Sequence, residues 1–271
     1  MKAIRNIKIM GIVNLTDDSY FAESRCCSVE VALQRISQMV DEGVDIVDIG
    51  ACSTRPGSHP VGEVEEWNRL APVLTAVRDK FPGLVISIDT YWSSVVRNAY
   101  DLIGDFIVND ISAGEDDPQM LATVAGLGLT YVAMHKRGTP LEMQSLTDYN
   151  DVVKDVIDYF GEFALKAAAV GLRNWILDPG FGFSKTLEQN WEMLRRLSEF
   201  KKLQGVDGSA PPLLVGISRK SMIYNLLGIS PEESLSATQV AHFIALEGGA
   251  DILRVHDVAA AVQTVRLYNK V

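Results

Sequence analysis

Eight apolar, β-branched runs recur along the chain, and each ends in a short polar cluster. Ile7–Val13 leads into Asn14, Val44–Val47 into Asp48-Ile49-Gly50, and Leu84–Ile88 into Asp89-Thr90. Phe106–Val108 ends at Asn109-Asp110, Leu129–Met134 at His135, and Trp175–Leu177 at Asp178-Pro179-Gly180. Leu213–Val215 leads into Gly216-Ile217-Ser218-Arg219-Lys220, and Ile252-Leu253 into Arg254-Val255-His256-Asp257. Continuous apolar runs of this length suit strands buried on both faces, as in parallel sheets. Eight of them, separated by helical stretches, predict an α/β fold of the (β/α)8 TIM-barrel kind, whose chemistry sits at the strand C-termini. A doubly wound sheet satisfies the alternation too; the count of eight favours closure.

The gaps carry helical periodicity. Val29, Leu33, Ile36, Met39 and Val40 form one stripe over Ser28–Glu42, with Ser28 placed to cap it. Val64, Trp67, Leu70, Leu74 and Val77 do the same over Glu63–Lys80. Helices are also expected over Tyr91–Asp101, Pro118–Leu127, Asp148–Val170, Thr186–Phe200, Ser218–Leu227, Ser234–Gly248 and Val258–Asn269. Gly171 suits the end of the Asp148–Val170 helix.

Length agrees with this count. At 271 residues, 47% of them hydrophobic, the chain matches the roughly 250 residues of one such barrel. No Pro/Gly/Ser-rich linker divides it, so residues 1–271 read as one domain. Charge narrows the partners: 35 acidic against 25 basic residues give a net charge of −10. Such a chain lacks the broad positive field of a nucleic-acid binder and a basic amphipathic segment for anionic membranes. Small molecules are the expected partners. Against this background Arg55, Lys220 and Arg254, inside the polar clusters, mark a local anion site. Cys26, Cys27 and Cys52 form neither a disulfide framework nor a metal-ligand spacing. The start has no signal-peptide apolar region, and no run approaches the ~20 apolar residues of a membrane span. A soluble, cytoplasmic protein is expected.

The clusters supply two kinds of chemistry. Asp89, Asn109 and Asp178 each end an apolar strand. Any one of them alone reads as a helix N-cap. Three together on inward-facing strand ends can pair with the amino-pyrimidinone edge of a flat nitrogen heterocycle, rejecting analogues that lack those donors. Asn14, Arg254 and His256 come from strands one and eight, neighbours in a closed barrel. Arg254 and His256, two apart on a strand, share one face and suit a phosphate or pyrophosphate. His256 read alone is an ordinary packed histidine. Ser218-Arg219-Lys220 opens a short helix whose free N–H groups suit an anion; alternatively Arg219 and Lys220 are solvated charges. Gly180 and Gly182 bracket Phe181 in a turn able to approach a ligand. One of Phe181 and Phe183 is expected as a wall, the other as core. His242 is expected to be structural, and His135 is open.

In order along the chain, these segments resemble the signatures of the dihydropteroate synthases. They are Met10–Thr16, Asp48–Gly57, Ser87–Thr90, Asn109–Ser112, Met134-His135 with Gly138 and Pro140, Asp178–Phe183, Gly216–Ser221 and Arg254–Asp257. The resemblance implies a pterin-binding barrel and a folate-pathway transferase. It joins 6-hydroxymethyl-7,8-dihydropterin pyrophosphate to p-aminobenzoate, giving 7,8-dihydropteroate and pyrophosphate. It further implies that Asp89, Asn109, Asp178 and Lys220 hold the pterin, with Arg254 on its face and Met134 beside it. Asn14, Arg254 and His256 hold the pyrophosphate, with Mg²⁺ on Asn14. Thr54 and Arg55 belong to a mobile second loop, Ser218 meets the p-aminobenzoate carboxylate, and Pro56, Phe183 and Lys220 line that pocket. The family is sulfonamide-targeted and usually dimeric.

Loop one departs from the family pattern: Asp17 replaces a proline, and Ala22 stands at the acidic tip position with Glu23 one place later. Two alternatives share the acidic cradle. A methyltetrahydrofolate–corrinoid methyltransferase would have no need of the Ser-Arg-Lys and Arg-x-His groups, which are present. A silent pterin-binding paralogue would have lost cradle or anion residues, which are retained.

Overall fold

The computed structural model describes residues 5–15, 28–52, 61–139, 142–205 and 208–271. All eight expected strands form: β1 Lys8–Asn14, β2 Ile46–Gly50, β3 Val85–Asp89, β4 Ile107–Asp110, β5 Thr130–Met134, β6 Trp175–Asp178, β7 Leu214–Val215 and β8 Ile252–Val255. Every pairing is parallel, in the order β6-β5-β4-β3-β2-β1-β8-β7. The two ends of that order meet at a bridge between Leu177 and Leu213, where the Leu177 N–H donates to the Pro212 carbonyl at 2.9 Å. The sheet is therefore a barrel.

Helices α1 Val29–Glu42, α2 Glu63–Lys80, α3 Ser93–Ile103, α4 Met120–Leu127, α5 Val152–Ala169 and α6 Leu187–Arg195 follow the first six strands. Two helices, α7 Ser221–Leu227 and α8 Leu235–Glu247, follow β7, and α9 Val258–Tyr268 follows β8. Strand side chains alternate with period two. Val47, Ile49, Ile88, Val108, Tyr131, Ala133, Leu177 and Leu253 join the core under the helices. Met10, Ile46, Ile107, Val132, Ile176, Leu214 and Ile252 form a separate apolar plug inside the barrel. That plug is the floor of the site.

Capping sets several helix starts. The Ser28 hydroxyl accepts from the Val31 N–H at 3.3 Å, as expected. Asp151 accepts from the Val153 and Lys154 N–H groups at 3.0 Å each, so α5 begins at Val152 rather than Asp148. Gly171 follows α5 with a left-handed φ of 82°. The expected helix over Thr186–Phe200 divides into α6 and a 3₁₀ stretch, Leu197–Lys202. Between them Arg196 is held by Asp151, Glu192 and Glu199. The expected helix from Ser218 starts only at Ser221, because Arg219 has φ +52° and breaks the helical path. Among the described residues no helix is long and apolar enough to cross a membrane.

Candidate active site at the barrel mouth

One residue pair above the apolar plug, the same inward alternation reaches the polar layer. Ile46 gives way to Asp48, Ser87 to Asp89, Ile107 to Asn109, Val132 to Met134, Ile176 to Asp178 and Ile252 to Arg254. Six strands thus contribute one ring of functional side chains at the depth where the floor ends. Asn14 ends β1, between β2 and β8. Met134 of the ring joins Tyr91 and Ile111 in a second apolar cluster at the mouth, with Cys52, Trp92 and Phe183 packed against it. The mouth therefore has a polar floor and an apolar wall.

Asp48 organises the floor. It is completely buried. Its carboxylate accepts from the Ser87 hydroxyl at 2.6 Å, the Asn109 amide at 3.1 Å and Arg254 Nε at 2.7 Å. Arg254 Nη2 also reaches Asp89 Oδ2 at 2.9 Å. The guanidinium is thus fixed between two carboxylates, and the Asn109 amide is oriented by its bond to Asp48. Burial opposes the Arg254 charge, but Asp48 and Asp89 outweigh it and push its pKa above the usual range. Burial, countered by Arg254 and reinforced by Asp48, Asp110 and Asp178, lifts the Asp89 carboxyl to about 7. Burial raises Asp178 too, against the pull of Lys220.

The loop after β6 forms the opposite side. The Gly180 N–H donates to Asp178 Oδ1 at 2.8 Å, which fixes that carboxylate. Phe181 is wholly buried in the core, whereas Phe183 is half-buried at the mouth with Lys220 Nζ 4.8 Å from its ring centroid. The expected division of the two phenylalanines holds. Lys220 Nζ also donates to the Phe181 carbonyl at 2.5 Å, and burial, opposed by Asp178, lowers its pKa to about 8. Gly182, at φ +82°, lies under the Lys220 stem, where a Cβ would come within 3.3 Å of the Lys220 Cδ. The half-buried Lys220 is no solvated charge.

Nor is Arg219 solvated. Its Nε and Nη2 grip Asp257 at 2.8 and 2.9 Å, and its Nη1 donates to the carbonyls of Pro231 and Glu232 at 2.8 Å each. Ser218 is buried, and its hydroxyl accepts from the His256 N–H at 3.2 Å and lies 3.1 Å from His256 Nδ1. In this state Ser218 is committed to His256. Burial, reinforced by Arg254, lowers the His256 imidazole to about 3, so it is neutral at pH 7. The anion side is therefore Arg254 and Lys220 as charges, with His256 as a neutral polar group. His242 is fully buried on α8, as expected.

Asn14, Asp89, Asn109, Met134, Asp178, Phe183, Ser218, Lys220, Arg254 and His256 all lie at this mouth. Thr54, Arg55, Pro56 and the loop-one positions Asp17, Ala22 and Glu23 lie outside the described residues. Sequence reasoning assigned no role to Asp48. Its signal was a carboxylate between Val47 and Ile49, on the same parity as inward-facing Ile46. Tyr91 and Ile111 were missed for a different reason: both follow their strands, where the alternation can no longer be read.

The layered barrel and its mouth define a pterin-cradle enzyme class, and comparison with known proteins agrees. Residues 10–256 match the pterin binding enzyme family, and the chain belongs to it. It is 40% identical over 262 residues to the dihydropteroate synthase of Synechocystis sp., covering 96% of this chain and 88% of that one. A probable bifunctional folylpolyglutamate synthase/dihydropteroate synthase of Haloferax volcanii is 40% identical over 96% of this chain, which spans only 30% of that longer protein. The Yersinia pestis dihydropteroate synthase, solved in complex with a sulfonamide drug, superposes with a TM-score of 0.90 at 34% identity, covering 99% of this chain and 95% of that one.

Proposed function

We propose that this chain is a dihydropteroate synthase, acting as one (β/α)8 domain over residues 1–271. The single observation that carries the reading is the inward ring of Asp48, Asp89, Asn109, Asp178 and Arg254 above the apolar floor. Two carboxylates and an amide, set at strand ends, offer a planar edge for the pterin's N–H groups. Met134, Ile111 and Tyr91 offer its face an apolar wall. Lys220 and Phe183, in contact with each other, bound the p-aminobenzoate side, with Ser218 near its carboxylate. Thr54, Arg55 and Pro56 are assigned to the same two substrates from the family pattern.

The reaction requires no protein nucleophile. The bond between the pterin methylene and the pyrophosphate oxygen breaks, the arylamine nitrogen bonds to that methylene, and the nitrogen gives up a proton. Departure of pyrophosphate leaves positive charge on the dihydropterin. Asp89 and Asp178 stabilise that charge, and Arg254, Lys220 and neutral His256 stabilise the leaving group. The arylamine is already a neutral nucleophile at pH 7.

The residues fit a magnesium ion that travels with the substrate. Mg²⁺ is held by one or two protein oxygens together with substrate phosphates and water. Asn14 supplies such an amide oxygen at the mouth. Among the described residues no cluster of His, Cys, Asp and Glu makes a self-sufficient metal site. Asn14 would hold the ion, which when bound neutralises charge on the pyrophosphate.

A second copy of the chain is the proposed protein partner. Exposed Leu226 and Leu227 on α7, Val240 and Ile244 on α8 and Leu267 on α9 supply the apolar surface such a homodimer needs; sedimentation equilibrium tests it. A cytoplasmic location accords with the lack of a spanning helix among the described residues. The activity is tested by incubating the protein with pterin pyrophosphate, p-aminobenzoate and Mg²⁺ and weighing the products by mass spectrometry. The mass of 7,8-dihydropteroate is expected, and a sulfonamide should suppress it in competition with p-aminobenzoate. Its absence overturns the reading.

A further inference from the structure

Behind the wall of the mouth lies a lysine that the reaction does not use. Lys185 is buried, with 4% of its surface exposed, and among the described residues no carboxylate is a hydrogen-bond partner of it. Its Nζ instead lies 2.9 Å from the Phe183 carbonyl, 3.0 Å from the Gly180 carbonyl and 3.0 Å from His135 Nδ1. The His135 carbonyl lies 3.5 Å away as well, so four polar atoms surround an amine whose pKa burial holds well below its ordinary value, against the pull of Asp178. The His135 imidazole is suited to accept: burial, together with Lys185, keeps it well below its ordinary pKa and neutral.

Burying an amine is costly, and an apolar side chain of similar length fills such a hole more easily. The arrangement therefore points to more than packing. The partners of Lys185 come from the end of β5 and from both arms of the loop after β6. Gly180 sits at φ +73°, and a Cβ there would lie 2.0 Å from the His135 carbonyl oxygen, so the two segments touch through backbone. Asn190 secures the outer arm, accepting from the Gly182 N–H at 2.7 Å and donating to the Lys185 carbonyl at 3.2 Å. The loop held in this way carries Asp178, fixed through the Gly180 N–H, and Phe183, and its Phe181 carbonyl anchors Lys220.

We propose that Lys185 is a positioning residue for the condensation: through the Gly180 and Phe183 carbonyls and the His135 imidazole it sets the 178–184 loop, aiming Asp178 at the pterin and Phe183 and Lys220 at the arylamine. This rests on the reading of the mouth as the site of both substrates. It makes Lys185 a determinant of p-aminobenzoate recognition without contact to p-aminobenzoate.

The experiment compares Lys185→Met, which keeps the stem and removes every donor, with wild type. The variant is expected to fold with a modestly lowered thermal midpoint, because the Gly180 and Phe183 carbonyls lose their donor. Its KM for p-aminobenzoate should rise roughly tenfold and pterin affinity should fall, with kcat at saturation much less affected. Because Lys185 acts through Phe183, Phe183→Ala should raise KM far less in the Lys185→Met background than in wild type. Should Lys185→Met not fold, Lys185→Gln, which retains N–H donors, and His135→Phe, which removes one acceptor, are read for the same split. A lowered midpoint with both substrate constants near wild type, independent effects of Lys185 and Phe183, or failure of all three variants to fold makes Lys185 a structural lysine and overturns the proposal. An inactive wild type overturns the reading of the mouth instead.

Discussion

Arg254 on β8 and Asp48 on β2 face each other past β1, with Arg254 Nη2 2.6 Å from Asp48 Oδ2. The guanidinium is oriented before any substrate arrives, and its orientation depends on a carboxylate with no exposed surface. Removing one partner of a buried pair leaves the other charge uncompensated, at a cost of about 3–5 kcal/mol. Arg254→Met should therefore lose both activity and stability. Adding Asp48→Asn should return much of the stability and none of the activity, as read by denaturant unfolding and turnover. Equal stability of Arg254→Met and wild type would show that the pair does not bind the floor together.

Asp89→Asn and Asp178→Asn should each weaken pterin binding. An amide places an N–H₂ donor where the ring also presents a donor, and an unpaired buried group costs about 1–3 kcal/mol. Calorimetric titration with a pterin reads the loss directly. Unchanged affinity in both variants would remove the cradle.

Two of the shifted groups at the mouth, Asp89 and Lys220, predict a narrow pH optimum for pterin affinity. Asp89 titrates at about 7 in the free protein, so below that pH it is protonated and a poorer acceptor. Lys220 titrates at about 8, so above that pH its charge is lost. Affinity should rise through the first value and fall beyond the second. Lys220→Met should abolish the alkaline limb and Asp89→Asn the acid limb, each measured as Kd against pH. A flat wild-type profile from pH 6 to 9 contradicts the assignment.

Glu66 gives a stability prediction away from substrate. It is fully buried on α2, and burial, opposed by a hydrogen bond from Thr90 and reinforced by Asp89, lifts its pKa from 4.5 to about 7. A raised acid binds its proton more tightly in the folded state. Its contribution is therefore complete below pH 4.5 and lost as pH rises through about 7. The displacement corresponds to ~3 kcal/mol at most. Glu66→Gln, a neutral isostere, should flatten unfolding free energy across that window and be the more stable protein above pH 7. A variant with the wild-type pH slope would place the titration elsewhere.

Much of this was legible in the sequence because a parallel barrel writes itself in apolar runs. Each run from Ile7–Val13 to Ile252-Leu253 became a strand, with ends shifted by up to three residues. Strand-end residues such as Asp89, Asn109 and Asp178 stood out by contrast with the apolar residues before them. Asp48 did not, because two apolar-facing neighbours enclose it and its partners are far away in sequence. Arg219 and Lys185 were hidden for a related reason. A charge saturated by Asp257, or by backbone carbonyls, looks in sequence like a charge in solvent. The left-handed backbone at Arg219 likewise depends on long-range hydrogen bonds that no local pattern announces.

The most direct test of the account is to follow pyrophosphate and dihydropteroate together in one reaction, in wild type and in Asp178→Asn. Wild type should form the two products in equal amounts, with dihydropteroate appearing only when p-aminobenzoate is present. The variant should lose both in parallel, roughly tenfold or more. Pyrophosphate released in the presence of p-aminobenzoate without dihydropteroate, or full formation of both in the variant, would contradict a condensation carried by this barrel mouth.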